Sequence, residues 1–325
     1  MQEMFVKKSD SILRYSLALT LLMAAIVLFL VFRQSTDEGQ LLAENWTAEF
    51  GGQFQSSESG VSGISLSSDR FGDRQCARIV AMSDVESVDL AGTGITDESL
   101  TFLAKLPSLR KLRLDRCEIT GQGLAVLASA KSLTDLSLAG CRLGQIGDDN
   151  LGKLKSLTVL NLMNCEMEGD VVTAVQGLTT LRKLYLGNTD IDSSSLAQLR
   201  ELSGLELLNL TGIQAAGSED FAALGELPSL KLLYLDRAAI NDEAFGYFVE
   251  SCVTNDSTIE ALFLEGCPIT DASRQHLERF VRLESLASLR LTGTSVTREA
   301  FDQVAALAPE VSFAHSMGES GFAED

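Results

Sequence analysis

Leucine and isoleucine recur along most of this chain in a fixed lattice. The strings LRKLRLDRCEIT from Leu109, LTDLSLAGCRLG from Leu133, LTVLNLMNCEME from Leu157 and LRKLYLGNTDID from Leu181 start 24 residues apart. Val85 (VESVDLAGTGIT) and Val61 (VSGISLSSDRFG) hold the same register, and Leu205, Leu230, Ile259 and Leu286 open further copies, the last three at spacings of 25, 29 and 27. The alternation LxL is that of a strand, whose successive side chains take opposite faces. Leu112 and Leu114 therefore point inward and Arg113 outward. The second half of a copy, as in DESLTFLAKL, sets Leu100, Leu103 and Leu106 at helical spacing. Thr96, Asp97, Thr120, Asn241, Asp242, Thr270, Asp271 and Thr297 stand where a helix N-cap is wanted, because their oxygens accept a free backbone N–H. Each copy reads strand, turn, helix. One copy alone cannot bury its apolar edge, whereas stacked copies can. With parallel strands ~4.8 Å apart, nine or ten copies make a curved rod roughly 40 to 50 Å long.

The N-terminus follows a different pattern. Residues 12–32 read ILRYSLALTLLMAAIVLFLVF, with no formal charge from Tyr15 to Phe32, and about 20 apolar residues span a bilayer core of roughly 30 Å. Lys7, Lys8 and Arg14 precede the uncharged run, while Arg33, Asp37 and Glu38 follow it. That excess of positive charge places the N-terminal side in the cytoplasm. A cleaved secretory signal is the alternative, but the apolar stretch is long for one and no A-x-A site follows it. The boundaries read from the sequence are a short cytoplasmic tail over 1–11, a transmembrane signal anchor over 12–32 and a juxtamembrane linker becoming an N-terminal cap over 33–60. The repeats occupy 61–310, the first of them degenerate, and a C-terminal cap strand and tail occupy 311–325. The expected location is a single-pass membrane protein with its repeats outside the cytoplasm, periplasmic or at the cell surface.

The recurring LxxLxLxx(C/T)xI(T) string resembles the leucine-rich-repeat family over about residues 61–310, and its Cys/Thr-x-Ile-Thr-Asp flavour resembles the cysteine-containing subtype. The resemblance implies an α/β solenoid: a right-handed coil with a parallel β-sheet on the concave face and helices on the convex face. It also implies a scaffold that binds through its concave, strand-lined side. In some eukaryotic proteins the subtype follows an F-box. Here an apolar span occupies that end, so ubiquitin-ligase function is not implied.

A net charge of −19 argues against non-specific binding to nucleic acid or to anionic lipid, where phosphate contacts need clustered Lys and Arg. Six cysteines and two histidines are the whole supply of soft ligands, with no C-x-x-C pair. Cys117, Cys141, Cys165 and Cys267 share the ninth position of their copies, a place Thr93, Thr189 and Thr294 fill elsewhere. That exchange favours a packing role over a metal or disulfide site, since buried Cys behaves as a small apolar residue. No G-x-S-x-G, H-E-x-x-H or P-loop string occurs, and His276 and His315 have no partner that sequence can place beside them. Neither catalysis, a cofactor nor a metal is expected.

The outward strand positions (second, third, fifth, seventh and eighth) carry nine basic residues against eight acidic ones from Val85 to Leu286, in a chain that is strongly acidic overall. The fifth-position column reads Asp89, Arg113, Ser137, Asn161, Tyr185, Asn209, Tyr234, Phe263, Arg290. Aromatics and Arg tend to carry interface energy, although Tyr and Phe are also good strand formers. The expected partner-binding residues are Arg113, Arg116, Asn161, Tyr185, Asn209, Tyr234, Arg237, Phe263 and Arg290. They suit a membrane-tethered scaffold for a protein partner of unknown identity. An envelope spacer without a specific ligand, or a glycan- or peptidoglycan-binding module, remains open.

Overall fold

A computed structural model of the protein describes residues 38–315, apart from 59, 147–149, 192 and 215–216, together with Met23. The span expected over 12–32 and the tail over 316–325 lie outside the described residues, Met23 excepted. Among the described residues no helix is long and apolar enough to cross a membrane.

The repeats stack as their leucine lattice demands. Twelve strands form one sheet whose spatial order is the chain order, and a separate pair forms a second, two-stranded sheet. Each strand from Ser87–Asp89 to Ser312–Ala314 in the main sheet is three residues long and pairs in parallel with its neighbours without slipping register. The shared register is a packing consequence. The fourth and sixth positions, such as Leu112 and Leu114, are buried at every copy, and a one-residue slip would turn them out to water.

Three columns of residues tie the coils together. The first lies just past each strand. The eighth position is left-handed in all nine copies from Val85 onward: Gly92, Arg116, Gly140, Asn164, Asn188, Gly212, Arg237, Gly266 and Gly293 have φ between 55° and 75°. Gly and Asn tolerate that region, whereas Arg strains in it. In the second column, the thiols of Cys117, Cys141, Cys165 and Cys267 donate to the carbonyls of Leu90, Leu114, Leu138 and Leu235 in the preceding coil, at 2.9–3.1 Å. Thr93, Thr189 and Thr294 donate instead within their own coil, to Leu90, Leu186 and Leu291. All six cysteines are free and buried.

The third column sits at the helix starts. Thr96, Asn241, Thr270 and Thr297 cap their helices, accepting from backbone N–H groups. The aspartates beside them reach further. Asp73, Asp97, Asp242 and Asp271 each accept from the backbone N–H and the hydroxyl of the capping-position threonine in the next coil. Asp73 and Asp242 also accept from the hydroxyls of buried Ser99 and Ser273, both at 2.5 Å. Thr120, expected as a cap, makes no capping bond of its own and donates to Asp97.

The side opposite the main sheet is less uniform than strand–turn–helix. The long helix Asp242–Thr254 belongs to the 29-residue copy. Shorter copies close with brief α-turns or 3₁₀ pieces such as Leu151–Lys153 and Ser193–Glu201. A 3₁₀ helix advances ~2.0 Å per residue against ~1.5 Å for an α-helix, so it crosses the same width with fewer residues. In two copies the arm after the strand is extended, and Arg142–Gln145 pairs with Glu166–Glu168 as the second sheet. This sheet fits because Gly121 has no side chain: a Cβ there would stand 2.2 Å from the Gln145 carbonyl oxygen.

Both ends are closed. Residues 38–50 form a helix whose Leu42, Ala43, Trp46 and Phe50 are buried, and Trp46 and Phe50 set their rings edge-on to Phe71 at 5.1 and 5.4 Å. Within the stretch read as a linker becoming a cap, the Gly/Ser-rich part forms a strand, Gln53–Ser57, antiparallel to Gly60–Ser65. Its polar composition suits an edge, and Phe54, opposite Ile64, packs on the core. At the other end Phe301 packs edge-on to Phe313 and stacks on His315, whose Nε2 lies 3.0 Å from the Val296 carbonyl oxygen.

Candidate binding face

The sheet face away from the leucines is built from the third and fifth positions. Because register is kept throughout, the fifth positions form one unbroken row: Asp89, Arg113, Ser137, Asn161, Tyr185, Asn209, Tyr234, Phe263, Arg290. Seven of the nine expected partner-binding residues stand in it. Arg116 and Arg237 do not. They are exposed, but on the left-handed turn past the strands. Each lays its stem along the next coil, with the Arg116 Cγ 3.2 Å from where a Cβ on Gly140 would be and the Arg237 Cγ 3.4 Å from the same place on Gly266.

The row has a polar end and an aromatic end. Near the N-terminus, Arg113 donates to Asp115 at 2.6 Å and pairs with Asp89 at 3.4 Å, and the Asp115 hydrogen bond holds its guanidinium above the usual arginine pKa. Asp115 is a correction to the sequence reading. It is 7% exposed, accepting from Ser137 Oγ and the Ala139 N–H as well, so it braces the sheet and is not a surface charge. In the middle, Asn161 and Asn209 accept from the N–H groups of Met163 and Thr211, two residues on. Asp89 does the same for Ala91. These side chains terminate strands, which leaves their amide N–H₂ groups as what the asparagines can offer a partner. Towards the C-terminus, Tyr234 and Phe263 stack with centroids 4.3 Å apart and planes 2° from parallel. The Arg290 guanidinium lies 5.2 Å from the Phe263 centroid, an arrangement favoured by the ring's negative face.

Tyr185 stands between the two ends, half-buried, with burial raising its hydroxyl pKa. With Val159 and Asn161 it helps line a depression of about 400 Å³ over the Ser87–Asp89, Lys111–Arg113 and Asp135–Ser137 strands. Alongside the row, Lys231 meets Glu260 at 2.7 Å and Arg182 meets Glu206 at 3.8 Å. Those exposed pairs cancel charge locally and contribute little to stability.

The thiols offer little chemistry to this face. Burial pushes Cys141 and Cys267 up to about 12 and Cys165 to about 11, far from the thiolate form that reacts and ligates. Among the described residues no group of three or more His, Cys, Asp or Glu is placed to hold a metal ion. Sequence reasoning missed the left-handed column, although its signal was visible: Gly or Asn fills the eighth position in every copy from Val85 onward except those carrying Arg116 and Arg237.

A family model described as leucine-rich repeat matches residues 105–128, a stretch of one period that includes the Lys111–Arg113 strand. No curated protein matches the chain. Among solved structures, the chain is similar to an internalin from Listeria monocytogenes strain 4b F2365, at 17% identity over 86% of this chain and 95% of that one, with a TM-score of 0.42.

Proposed function

We propose that the protein is a membrane-tethered binding scaffold. Residues 12–32 hold it to the membrane, its N-terminus lies in the cytoplasm, and the stacked repeats present the outer sheet face to a protein partner outside it. The observation that carries this reading is the continuous fifth-position row, in which Tyr185, Tyr234, Phe263 and Arg290 stand partly exposed on a rigid parallel sheet. Rigid aromatics lose little conformational freedom on binding, and they and Arg are the residues on which interfaces concentrate their energy. The Arg116 and Arg237 guanidiniums flank the row from the turn edge. Holding each in a left-handed conformation costs about 1 kcal/mol, and strain kept where glycine would relieve it points to use.

The test is a double variant, Tyr185→Ala with Tyr234→Ala, used in cross-linking capture from native membranes. Circular dichroism and thermal unfolding should match the unmodified protein while the captured partner disappears. Unchanged capture removes the strand-face reading, and absence of any captured protein from the unmodified chain favours a spacer. Binding to a glycan array that is lost in Phe263→Ala would replace the protein partner with a carbohydrate.

A further inference from the structure

The loops that lead into the strands stack along one edge of the array. Hydroxyls hold them in line: Ser132 donates to the Pro107 carbonyl, Thr180 to Lys155, Ser229 to Ser203 and Ser285 to Ser257, each at 2.8–2.9 Å. Charge is divided along this edge. Among the described residues its first half carries Lys105, Lys131, Lys153 and Lys155, all exposed, with Asp84 as the opposing acid. Among the described residues its second half carries Glu201, Glu226, Asp256, Glu284 and Glu310, with Arg200 and Arg282 as the opposing bases. In a chain of net charge −19, four lysines gathered at one end of one edge are a local exception. Lys131, Lys153 and Lys155 rim a depression of about 600 Å³. The Lys131 and Lys155 ammonium groups each donate to a loop carbonyl, of Ala128 and Gly177, at 2.7 and 2.9 Å. An ammonium has three N–H donors, so each retains capacity for an anion.

The same end of the same edge is where the chain enters the array. Gly39 lies against the first loop: a Cβ on it would be 3.0 Å from the Ala81 carbonyl oxygen and 3.5 Å from the Met82 Cα. Two of the largest apolar exposures stand beside that entry, Leu41 at 58% and Val80 at 48%. In the sequence, residues 33–37 lie between the end of the apolar stretch and Glu38, the first described residue of the N-terminal helix. Five residues reach at most about 18 Å, while the lysine-bearing loops lie within about 15 Å of the first coil at ~4.8 Å per strand.

We propose that this lysine edge docks on anionic phospholipid headgroups of the membrane that holds the chain, with Leu41 and Val80 at the interface. The proposal rests on the tether described above. It fixes the array lying against the bilayer by its first coils, with the acidic far half lifted away and the strand face left open to the side. Basic residues near a negative leaflet are attracted within about a Debye length and released by salt.

The full chain reconstituted into vesicles of phosphatidylcholine with about one-third phosphatidylglycerol is compared with the same chain in phosphatidylcholine alone. Lysines are acetylated with a membrane-impermeant reagent and read residue by residue by mass spectrometry. In anionic vesicles at low salt, Lys131, Lys153 and Lys155 should react at least about threefold more slowly than in neutral vesicles, with the difference abolished at about 0.5 M salt. Lys111, Lys183 and Lys231 on the strand face should not change. Lys131→Glu with Lys155→Glu should remove the protection of Lys153 while leaving the circular dichroism intact. Equal labelling of the edge in both vesicles, in a chain that resists alkaline carbonate extraction, overturns the docking and leaves the tether standing. Extraction by carbonate overturns both.

Discussion

Removing the Asp242 carboxylate should break one inter-coil junction while leaving every leucine in place. Asp242 accepts three hydrogen bonds from the following coil: the Thr270 N–H at 2.9 Å, the Thr270 hydroxyl at 2.7 Å and the Ser273 hydroxyl at 2.5 Å. A hydrogen bond to a charged group contributes about 1.5–3 kcal/mol. Three bonds sharing one half-buried carboxylate add up to less than their simple sum, so Asp242→Ala should cost about 3–5 kcal/mol. Asp271→Ala removes two bonds at an exposed site, to the N–H and hydroxyl of Thr297, and should cost about 2 kcal/mol. In a stacked array that loss is local. Urea unfolding followed by helical circular dichroism should show the Asp242→Ala midpoint lowered by about 1 M. The emission of Trp46, packed in the distant N-terminal cap, should keep its own midpoint. A circular dichroism midpoint unchanged from the parent, or a larger loss in Asp271→Ala than in Asp242→Ala, would refute the staple.

Acid should act through the same carboxylates. Burial alone would raise Asp73 and Asp242, but hydrogen bonds from Ser99 and Thr96, and from Ser273 and Thr270, outweigh it and lower both below the ordinary aspartate value of 3.8. Their contribution is full above the unfolded pKa and is lost as pH falls through the folded one, so in pH titrations Asp242→Ala should flatten the fall in stability below about pH 4. Asp236 has the opposite sign: burial raises it above 3.8, against the pull of its bond from the Glu265 N–H. Its charged form therefore opposes folding at neutral pH, and Asp236→Asn should leave the thermal midpoint at pH 7 unchanged or higher. Iodoacetamide at pH 8 should leave the six thiols unmodified in the native protein and label all of them in denaturant, as mass spectrometry would read. Gly121→Ala, whose Cβ would stand 2.2 Å from the Gln145 carbonyl, should cost about 2 kcal/mol by overpacking, measured by urea midpoint against Gly63→Ala, whose Cβ would meet its nearest atom at an ordinary 3.5 Å with no left-handed φ.

The period of the leucines made the sheet legible before any coordinates. Once Leu112 and Leu136 are known to be inward, Arg113 and Ser137 must be outward neighbours, and the whole fifth-position row follows from alternation. The sequence did not disclose interactions between a side chain and a backbone one coil away. Asp115 reads as an outward acid by position, yet the Ser137 hydroxyl and the Ala139 N–H draw it into the sheet. Asp97, Asp242 and Asp271 read as caps of their own helices, but their partners lie 23 to 31 residues onward. The second sheet was hidden for a related reason: Arg142–Gln145 extends because Gly121, a full coil earlier, leaves it room. The N-terminal cap was half visible. The stretch 33–60 read as a linker becoming a cap, while its Gly/Ser content concealed that an edge strand needs few apolar residues.

The ninth-position column also governs how the rod responds to pulling. A cysteine there donates to the coil before it, whereas a threonine donates to a carbonyl of its own coil. The unbroken run at Cys117, Cys141 and Cys165 thus clamps four successive coils together, and at Thr189 that clamp lapses, leaving the backbone ladder and the Asn188–Asn164 hydrogen bond to hold the junction. Drawn from its C-terminal end in a single-molecule tether, the array should peel coil by coil, with one clamped pair at Cys267, which grips Leu235 of the coil before it, and then resist as one block at the cysteine run.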